Sequence, residues 1–397
     1  MKYDFPYIKH IDEVLPAIEG SPEFIVAEKD GYTVVNYVVS TEDTFPEVHT
    51  SGGSAKMRDE ATRNKAIRRE CRGLIFGKDG RVIARRYHKF FNVNERNETL
   101  IKKIDVSKPH YVLEKLDGSM ITPIPVDGGI RWGTKMGVTD IALPVEEFVM
   151  ANQNYIRFAK ECIERDYTPI FEWCSPKQRI VIDHGEDKLI LTAIRCNHTG
   201  VYYDYDAMLK WAAAYNIPIV QVFDSQIDNL DSFINSLSKR EDIEGVVIRF
   251  KDGHMVKIKT EWYVRIHKAK DLITREHDVC RQILENNIDD AKAFLPEEDQ
   301  KRITDYEHAL IEQIHWEVDK LHSYIHNLHV QKIARKDFAI EHAKNLAGLY
   351  VSIVFKCFED YSRDAIFKVI VDTIIKNSNK AKNFEEMKSV LLQDINY

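Results

Sequence analysis

The chain has 397 residues, 44% of them hydrophobic and 30% charged, and a formal net charge of −7. That length fits two domains, or three, each with material for a core. No apolar run approaches the roughly 18–20 residues that cross a bilayer, the start Met1-Lys2-Tyr3-Asp4-Phe5-Pro6 lacks the layout of a signal peptide, and six cysteines without a CxxC pair argue against a zinc ribbon or a disulfide framework. A soluble cytoplasmic protein with no membrane partner, acting as a monomer, is the expectation.

In chain order, a helix is expected over Ile8–Ile18, then strands at Phe24–Ala27 and Thr33–Val39 around the turn Lys29-Asp30-Gly31. Thr50-Ser51-Gly52-Gly53-Ser54 reads as a loop, followed by a basic helix near Lys56–Glu70. The overall charge hides an asymmetry here: residues 1–50 carry 3 basic and 10 acidic side chains, residues 51–100 carry 13 and 6. A concentrated basic stretch attracts polyanions locally, although a solvated basic helix accounts for the same count. Leu74-Ile75-Phe76, the turn Gly77-Lys78-Asp79-Gly80 and Val82-Ile83-Ala84 form a hairpin pattern. Strands follow at Tyr111–Glu114, Ile121–Val126 and Ile130–Thr134, the last two joined at Asp127-Gly128-Gly129. A helix over Pro144–Arg165 precedes strands at Pro169–Cys174, Leu189–Arg195, Gly245–Phe250 and His254–Lys259. Short hairpins with helices in the longer connections predict an α+β domain on antiparallel sheet.

After about Lys268 the texture becomes helical. Leu310, Ile314, Val318, Leu321, Ile325 and Leu328 step by three or four, which is one helix face. Further helices are expected at Asp337–Phe358, Ser362–Lys376 and Asn383–Gln393. The domains are therefore 1–264, sheet-based, and 265–397, all-helical.

The chemistry concentrates in Glu114-Lys115-Leu116-Asp117-Gly118-Ser119. A lysine at a strand end beside a tight turn can attack the α-phosphate of a nucleoside triphosphate when unprotonated, a form that burial and nearby cations favour. An Asp-Gly turn after a strand is also common by chance. Glu172 and Glu244 each sit in an apolar strand context, where edge charges are the ordinary explanation. Lys257 and Lys259 alternate with apolar residues and so share a strand face. Two lysines on one face repel unless carboxylates or a polyanion lie opposite, and a triphosphate meets that need. Arg72-Gly73 and Lys89-Phe90-Phe91-Asn92 add cations beside aromatics, with at least one phenylalanine expected in the core.

This ordered set resembles the covalent nucleotidyltransferase superfamily of ligases and capping enzymes. Its nearest likeness is to the type-1 RNA ligases of T-even-type bacteriophages. The likeness rests on Glu70-Cys71-Arg72-Gly73, Lys89-Phe90-Phe91-Asn92, Lys115–Ser119, Phe171-Glu172-Trp173, Arg179-Ile180-Val181, Ile243–Val246 and Lys257–Val264, spanning about residues 30–267. The resemblance implies that residues 1–264 form an adenylyltransferase domain and 265–397 an RNA-specificity module. It implies ATP as substrate, Mg²⁺, and single-stranded RNA as partner, with the cleaved anticodon loop of tRNA a candidate. It assigns Lys115 as the residue adenylylated, Lys257 and Lys259 to the phosphates, and Glu172 and Glu244 to ribose and divalent metal. Tyr37, Arg72 and Lys89 match nucleotide-contacting positions, Lys135 looks like a further motif lysine, Asp117 supports the later steps, and Tyr263 matches a family tyrosine. Leu116 departs from family members with an acidic residue there. Asp289 resembles a cation position, while a helix N-cap explains it more simply. DNA ligases and capping enzymes share the lysine motif but resemble one another in carrying a β-rich domain after it; a non-catalytic nucleotide-binding module is the other alternative. His315, His322, His326 and His329 fall on one helix face, where a polar surface is a simpler account than metal or RNA binding.

Overall fold

The computed structural model describes residues 4–41, 43–48, 59–224, 226–393, 395 and 397. The Thr50–Ser54 loop and the expected start of the basic helix, Lys56–Arg58, lie outside the described residues. The chain divides into two compact units, Met1–Val264 and Arg265–Tyr397.

In the first unit the strands are β1 (Phe24–Lys29), β2 (Tyr32–Tyr37), β3 (Arg72–Gly77), β4 (Val82–Ala84), β5 (Phe91–Asn92), β6 (His110–Lys115), β7 (Ser119–Val126), β8 (Gly129–Gly133), β9 (Tyr167–Cys174), β10 (Lys188–Cys196), β11 (Val222–Asp224), β12 (Gly245–Phe250) and β13 (Met255–Lys259). They form three sheets, ordered β1-β2-β3-β4, β10-β9-β7-β8 and β11-β6-β12-β13-β5. Pairing is antiparallel except between β13 and the short β5, which run parallel. The β7–β8 turn has positive φ at Asp127 and Gly128, the conformation that matches the right-handed twist of a two-residue hairpin.

Helices cover the sheets on their apolar faces. Leu143–Ala151, Gln153–Glu164 and Tyr205–Ala214 place Val145, Phe158 and Met208 in one core with Phe171, Trp173 and Leu191 of the second sheet. Leu230–Ser238 packs Leu230 and Leu237 with Val246 and Ile248 of the third. The basic helix is described from Glu60 to Glu70, and Asp59 caps it by accepting from the Thr62 amide at 2.8 Å. Its last residue is tied into the sheets by a buried ion network. Glu70 receives Arg85 at 3.0 Å and Arg195 at 2.8 Å, with all three side chains essentially unexposed.

Two expected helices differ. Ile8–Ile18 is instead a short turn at Ile11–Glu13, capped by His10, followed by one helical turn at Leu15–Ile18. Pro16, which has no N–H to give, fits only at that helix start. Pro144–Arg165 is two helices, broken at Asn152, whose side-chain amide donates to the Phe148 carbonyl at 2.8 Å.

The second unit is helical and centred on the 34-residue helix Glu297–Val330. Its stripe Leu310, Ile314, Val318, Leu321, Ile325 and Leu328 is buried with Ile366, Ile370 and Ile374 of Arg363–Asn377 and with Met387 and Leu391 of Ala381–Leu391. The expected helix Asp337–Phe358 is interrupted: irregular turns run to Asn345, Leu346 is extended, and a regular helix starts at Gly348. No described helix is long and apolar enough to cross a membrane.

Candidate active site

A cavity of about 520 Å³ opens between the second and third sheets. Its cationic end is built by strand register. Gly245 of β12 pairs on one side with Lys115, the last residue of β6, and on the other with Lys259, the last residue of β13. Glu244, one residue earlier, is therefore delivered between two lysines. Its Oε1 lies 2.7 Å from Lys115 Nζ and 2.9 Å from Lys259 Nζ, and the carboxylate is almost fully buried. Gly245 has φ +149°, and a Cβ there would lie 2.0 Å from the Ile258 carbonyl oxygen; only glycine lets β12 and β13 close this tightly. Lys257, two residues before Lys259 on the same face, also lines the cavity.

The turn after Lys115 is pinned from behind. Asp117 is buried and accepts from the Val181 and Ile182 amides, each at 2.7 Å, and from the Tyr263 hydroxyl at 2.6 Å. Asp117 is not among the described residues lining the cavity; its carboxylate holds the turn rather than facing the space beyond it. Gly118 lies against β9, where a Cβ would meet the Trp173 carbonyl oxygen at 2.3 Å. That approach brings Lys115 next to Glu172 of the same strand.

A second group of cations surrounds Tyr37. Lys89 Nζ is 4.9 Å and Lys135 Nζ 5.1 Å from its ring centroid, and the Arg72 guanidinium acts on its hydroxyl electrostatically. Burial pushes the Tyr37 hydroxyl up, but Arg72, Lys89 and Lys135 outweigh it and hold the phenol below its ordinary range. Of these groups Arg72 and Lys135 line the cavity. Phe90 lines it too, while Phe91 is core.

The charges are poised for an anion. Burial, with Lys115, Lys89 and Arg72 nearby, pulls Lys257 down to about 8. Burial pushes Glu172 up to about 7; Glu244 and Asp117 add to this, while Lys115 and Arg72 oppose it. Among the described residues no cluster of three or more His, Cys, Asp or Glu side chains is placed to hold a metal. Glu172 and Glu244, crowded beside Lys115, are the carboxylates present to share a divalent cation that keeps most of its water.

Asp289 belongs to the helical unit, exposed in the short helix Ile288–Lys292 behind the N-cap residue Asn287. The histidines lie on Glu297–Val330. His322 and His326 stack in parallel at 6.3 Å, and His329 bonds the Phe358 carbonyl at 2.8 Å.

Several lining residues escaped the sequence reading: Met120, Thr192, Val247 and Arg249 among them. For Val247 and Arg249 a signal existed, since alternation along β12 puts them on the face of Gly245. For Thr192 there was none.

Two family profiles match the chain. One, described as RNA ligase, matches residues 70–263; the other, described as T4 RNA ligase 1, C-terminal domain, matches residues 270–384. A protein provisionally named RNA ligase from Thermovibrio ammonificans is 29% identical over 322 residues, 76% of this chain and 78% of that protein. RNA ligase 1 of bacteriophage TS2126 is 25% identical over 243 residues, 57% of this chain and 58% of its own length. Among solved structures, an archaeal ATP-dependent RNA ligase aligns over 78% of both chains at 13% identity, with a TM-score of 0.46. The profiles follow one another along the chain as its two units do, and the chain belongs to the T4-type RNA ligase family.

Proposed function

We propose that this protein is an ATP-dependent RNA ligase that joins 5′-phosphate and 3′-hydroxyl ends of single-stranded RNA through an adenylate carried on Lys115. In the first step Lys115 Nζ, as the neutral amine, attacks the α-phosphorus of ATP. A P–N bond forms, the bond to the β-phosphate oxygen breaks, and pyrophosphate leaves. The RNA 5′-phosphate then attacks the same phosphorus, taking AMP and restoring the lysine. Finally the 3′-hydroxyl attacks the activated 5′-phosphate, loses its proton, and expels AMP.

The observation that carries this reading is the placement of Lys115 and Lys259 on one carboxylate, Glu244, with Lys257 on the same cavity wall. Lys257 and Lys259 hold the phosphates, Arg72, Lys89 and Tyr37 contact the nucleotide, and Lys135 is a further motif lysine on the cavity wall. Glu172 contacts the ribose. Magnesium, with Glu244 as its protein carboxylate, would supply charge neutralisation on the transferred phosphate. Asp117, with Tyr263, keeps the turn of Lys115 in place and supports the later steps, and Asp289 on the helical unit is kept as a cation position. Repair of cleaved RNA is the role, with a broken tRNA anticodon loop as the substrate to try first.

Incubation with α-labelled ATP tests the first step. Label that survives denaturation in the wild type and vanishes in Lys115→Ala is expected; label in that variant removes Lys115 as nucleophile. Parallel ligation of 5′-phosphorylated RNA and DNA, with ATP and GTP compared, tests the rest. DNA joined as readily as RNA would overturn the substrate assignment.

A further inference from the structure

Arg86 is a buried cation at the junction of two sheets. It is 2% exposed, and no carboxylate of a described residue pairs with it. Burial pulls its pKa down to about 9, with Tyr32 opposing and Arg72 adding to the fall. An unpaired buried charge destabilises a fold, and residues of this kind persist where function uses them. Its side chain reaches two backbone carbonyls on different sheets. Nη1 donates to Gly73 of β3, and Nη2 donates to Gly133 of β8 at 3.2 Å. Its own carbonyl accepts from Arg195, which ties it to the Glu70 network.

Both carbonyls stand next to cavity cations. Arg72 immediately precedes Gly73, and Lys135 follows Gly133 by two residues. Both line the cavity, and both act on Tyr37. Gly73 has φ +76°, and a Cβ there would lie 2.6 Å from the Lys135 carbonyl oxygen and 3.0 Å from Arg86 Nη1. The backbones of Gly73 and Lys135 are therefore drawn together beside one guanidinium. A planar fork fixes two acceptors at once, which an ammonium does not. The charge collected there has a use. Lys115 and Lys259 already share Glu244, whereas Arg72, Lys89 and Lys135 crowd one phenol. Such a surplus suits the most anionic part of a nucleotide, the phosphates beyond the first.

We infer that Arg86 is a positioning residue for the triphosphate: by clamping the Gly73 and Gly133 carbonyls it sets the spacing of Arg72 and Lys135, and with it the hold on the β- and γ-phosphates. Arg86 itself touches no nucleotide. The inference rests on the ATP reading of this cavity and names the part of the fold that tells a triphosphate from a monophosphate.

The experiment is calorimetric titration of the full chain with AMP and with α,β-methylene-ATP, which carries the extra phosphates and cannot transfer AMP. The wild type is expected to bind the methylene analogue more tightly. Arg86→Met, which fills similar space without the fork, should weaken the analogue about 10-fold and leave AMP within about 2-fold, since small displacements of binding groups are that costly. Arg86→Lys keeps a charge but cannot fork, so the same selective loss is expected. Gly73→Ala presses on the clamp from the other side and leaves the buried charge in place; it too should lose the analogue and keep AMP. Thermal melts establish that each variant is folded, and each folded variant is a separate test. An unchanged ratio of the two affinities overturns the inference. So does an equal loss of both ligands, the sign of a general structural role, and so does a wild type that binds both alike. Full recovery in Arg86→Lys overturns the clamp in favour of charge alone. If the wild type takes no label from ATP but the selective loss is seen, the ligase reading fails and the clamp stands. If the wild type is labelled and the loss is absent, only the clamp falls.

Discussion

Glu172 is half-buried and Glu70 buried, and their surroundings drive the two carboxylates in opposite directions. Glu172 is pushed up to about 7 from the ordinary 4.5, so the folded protein binds its proton more tightly than the unfolded chain does. Its contribution to stability falls as pH rises from about 4.5 through 7. Glu172→Gln should therefore stabilise the protein by roughly 1–3 kcal/mol at pH 8, after allowing for its partial exposure, and by almost nothing at pH 4. The same variant should lose adenylylation, as expected where a site keeps a costly charge for chemistry. Denaturant titrations at the two pH values check this; equal effects at both would sink it. For Glu70, burial opposes ionisation but Arg195 and Arg85 prevail and hold the carboxyl at about 2. Its stabilisation is complete above about 4.5 and is lost as pH falls toward 2. Glu70→Gln should cost roughly 3 kcal/mol at pH 7 by leaving two buried guanidiniums short of charge, and should flatten the acid limb of the stability profile. Lys257 titrates in the working range, at about 8. If its charge holds the triphosphate, KM for ATP in the labelling reaction rises above pH 8, and Lys257→Arg moves that rise upward. A KM flat from pH 7 to 9 would remove the charge role.

Elements place these residues, and the elements differ in how far the sequence announces them. β12 and β13 were legible because Lys257 and Lys259 alternate with apolar neighbours, and the β7–β8 hairpin because Asp127-Gly128 suits a tight turn. The long helix was legible from its stripe at Leu310–Leu328. The break at Asn152 was not, since Phe148, Tyr155 and Phe158 keep a helical spacing across it and only a side-chain bond to Phe148 ends the first segment. The first helix misled for a related reason: its apolar residues fit a helix, but His10 and Pro16 make it a capped turn and a separate helical turn. That Lys115 meets Glu244 depends on β6 pairing with β12, segments more than 100 residues apart whose pairing local pattern does not encode. The same holds for Asp117, whose partners Val181, Ile182 and Tyr263 are distant in sequence. At this scale Gly118→Ala is the informative change. Its Cβ would press on the Trp173 carbonyl of β9, and the backbone cannot yield without moving the turn of Lys115. The expected result is a loss of covalent AMP of about 100-fold, since small misplacements of a reacting group are that costly. The helical unit should melt unchanged. Labelling within a few-fold of wild type would mean the turn relaxes freely.

Each unit of the molecule has a core of its own. The cavity, its lysines and both active-site glutamates lie within Met1–Val264, while Glu297–Val330 and its partners close a separate core in Arg265–Tyr397. Chemistry and RNA choice should therefore separate experimentally. A chain ended after Leu272 retains every residue proposed for the first step, together with the whole helix Glu261–Leu272. Its labelling by α-labelled ATP should stay within about 3-fold of the full chain, as expected for a domain that carries its own core. Its preference among nicked tRNA, stem-loop and unstructured single-stranded RNA should change, because the unit proposed to choose among them is gone. A soluble truncated enzyme with the full chain's ranking of those RNAs would move specificity into the nucleotide-binding unit. A truncated enzyme that binds AMP normally but takes no label would instead show that a residue after 272 serves the first step.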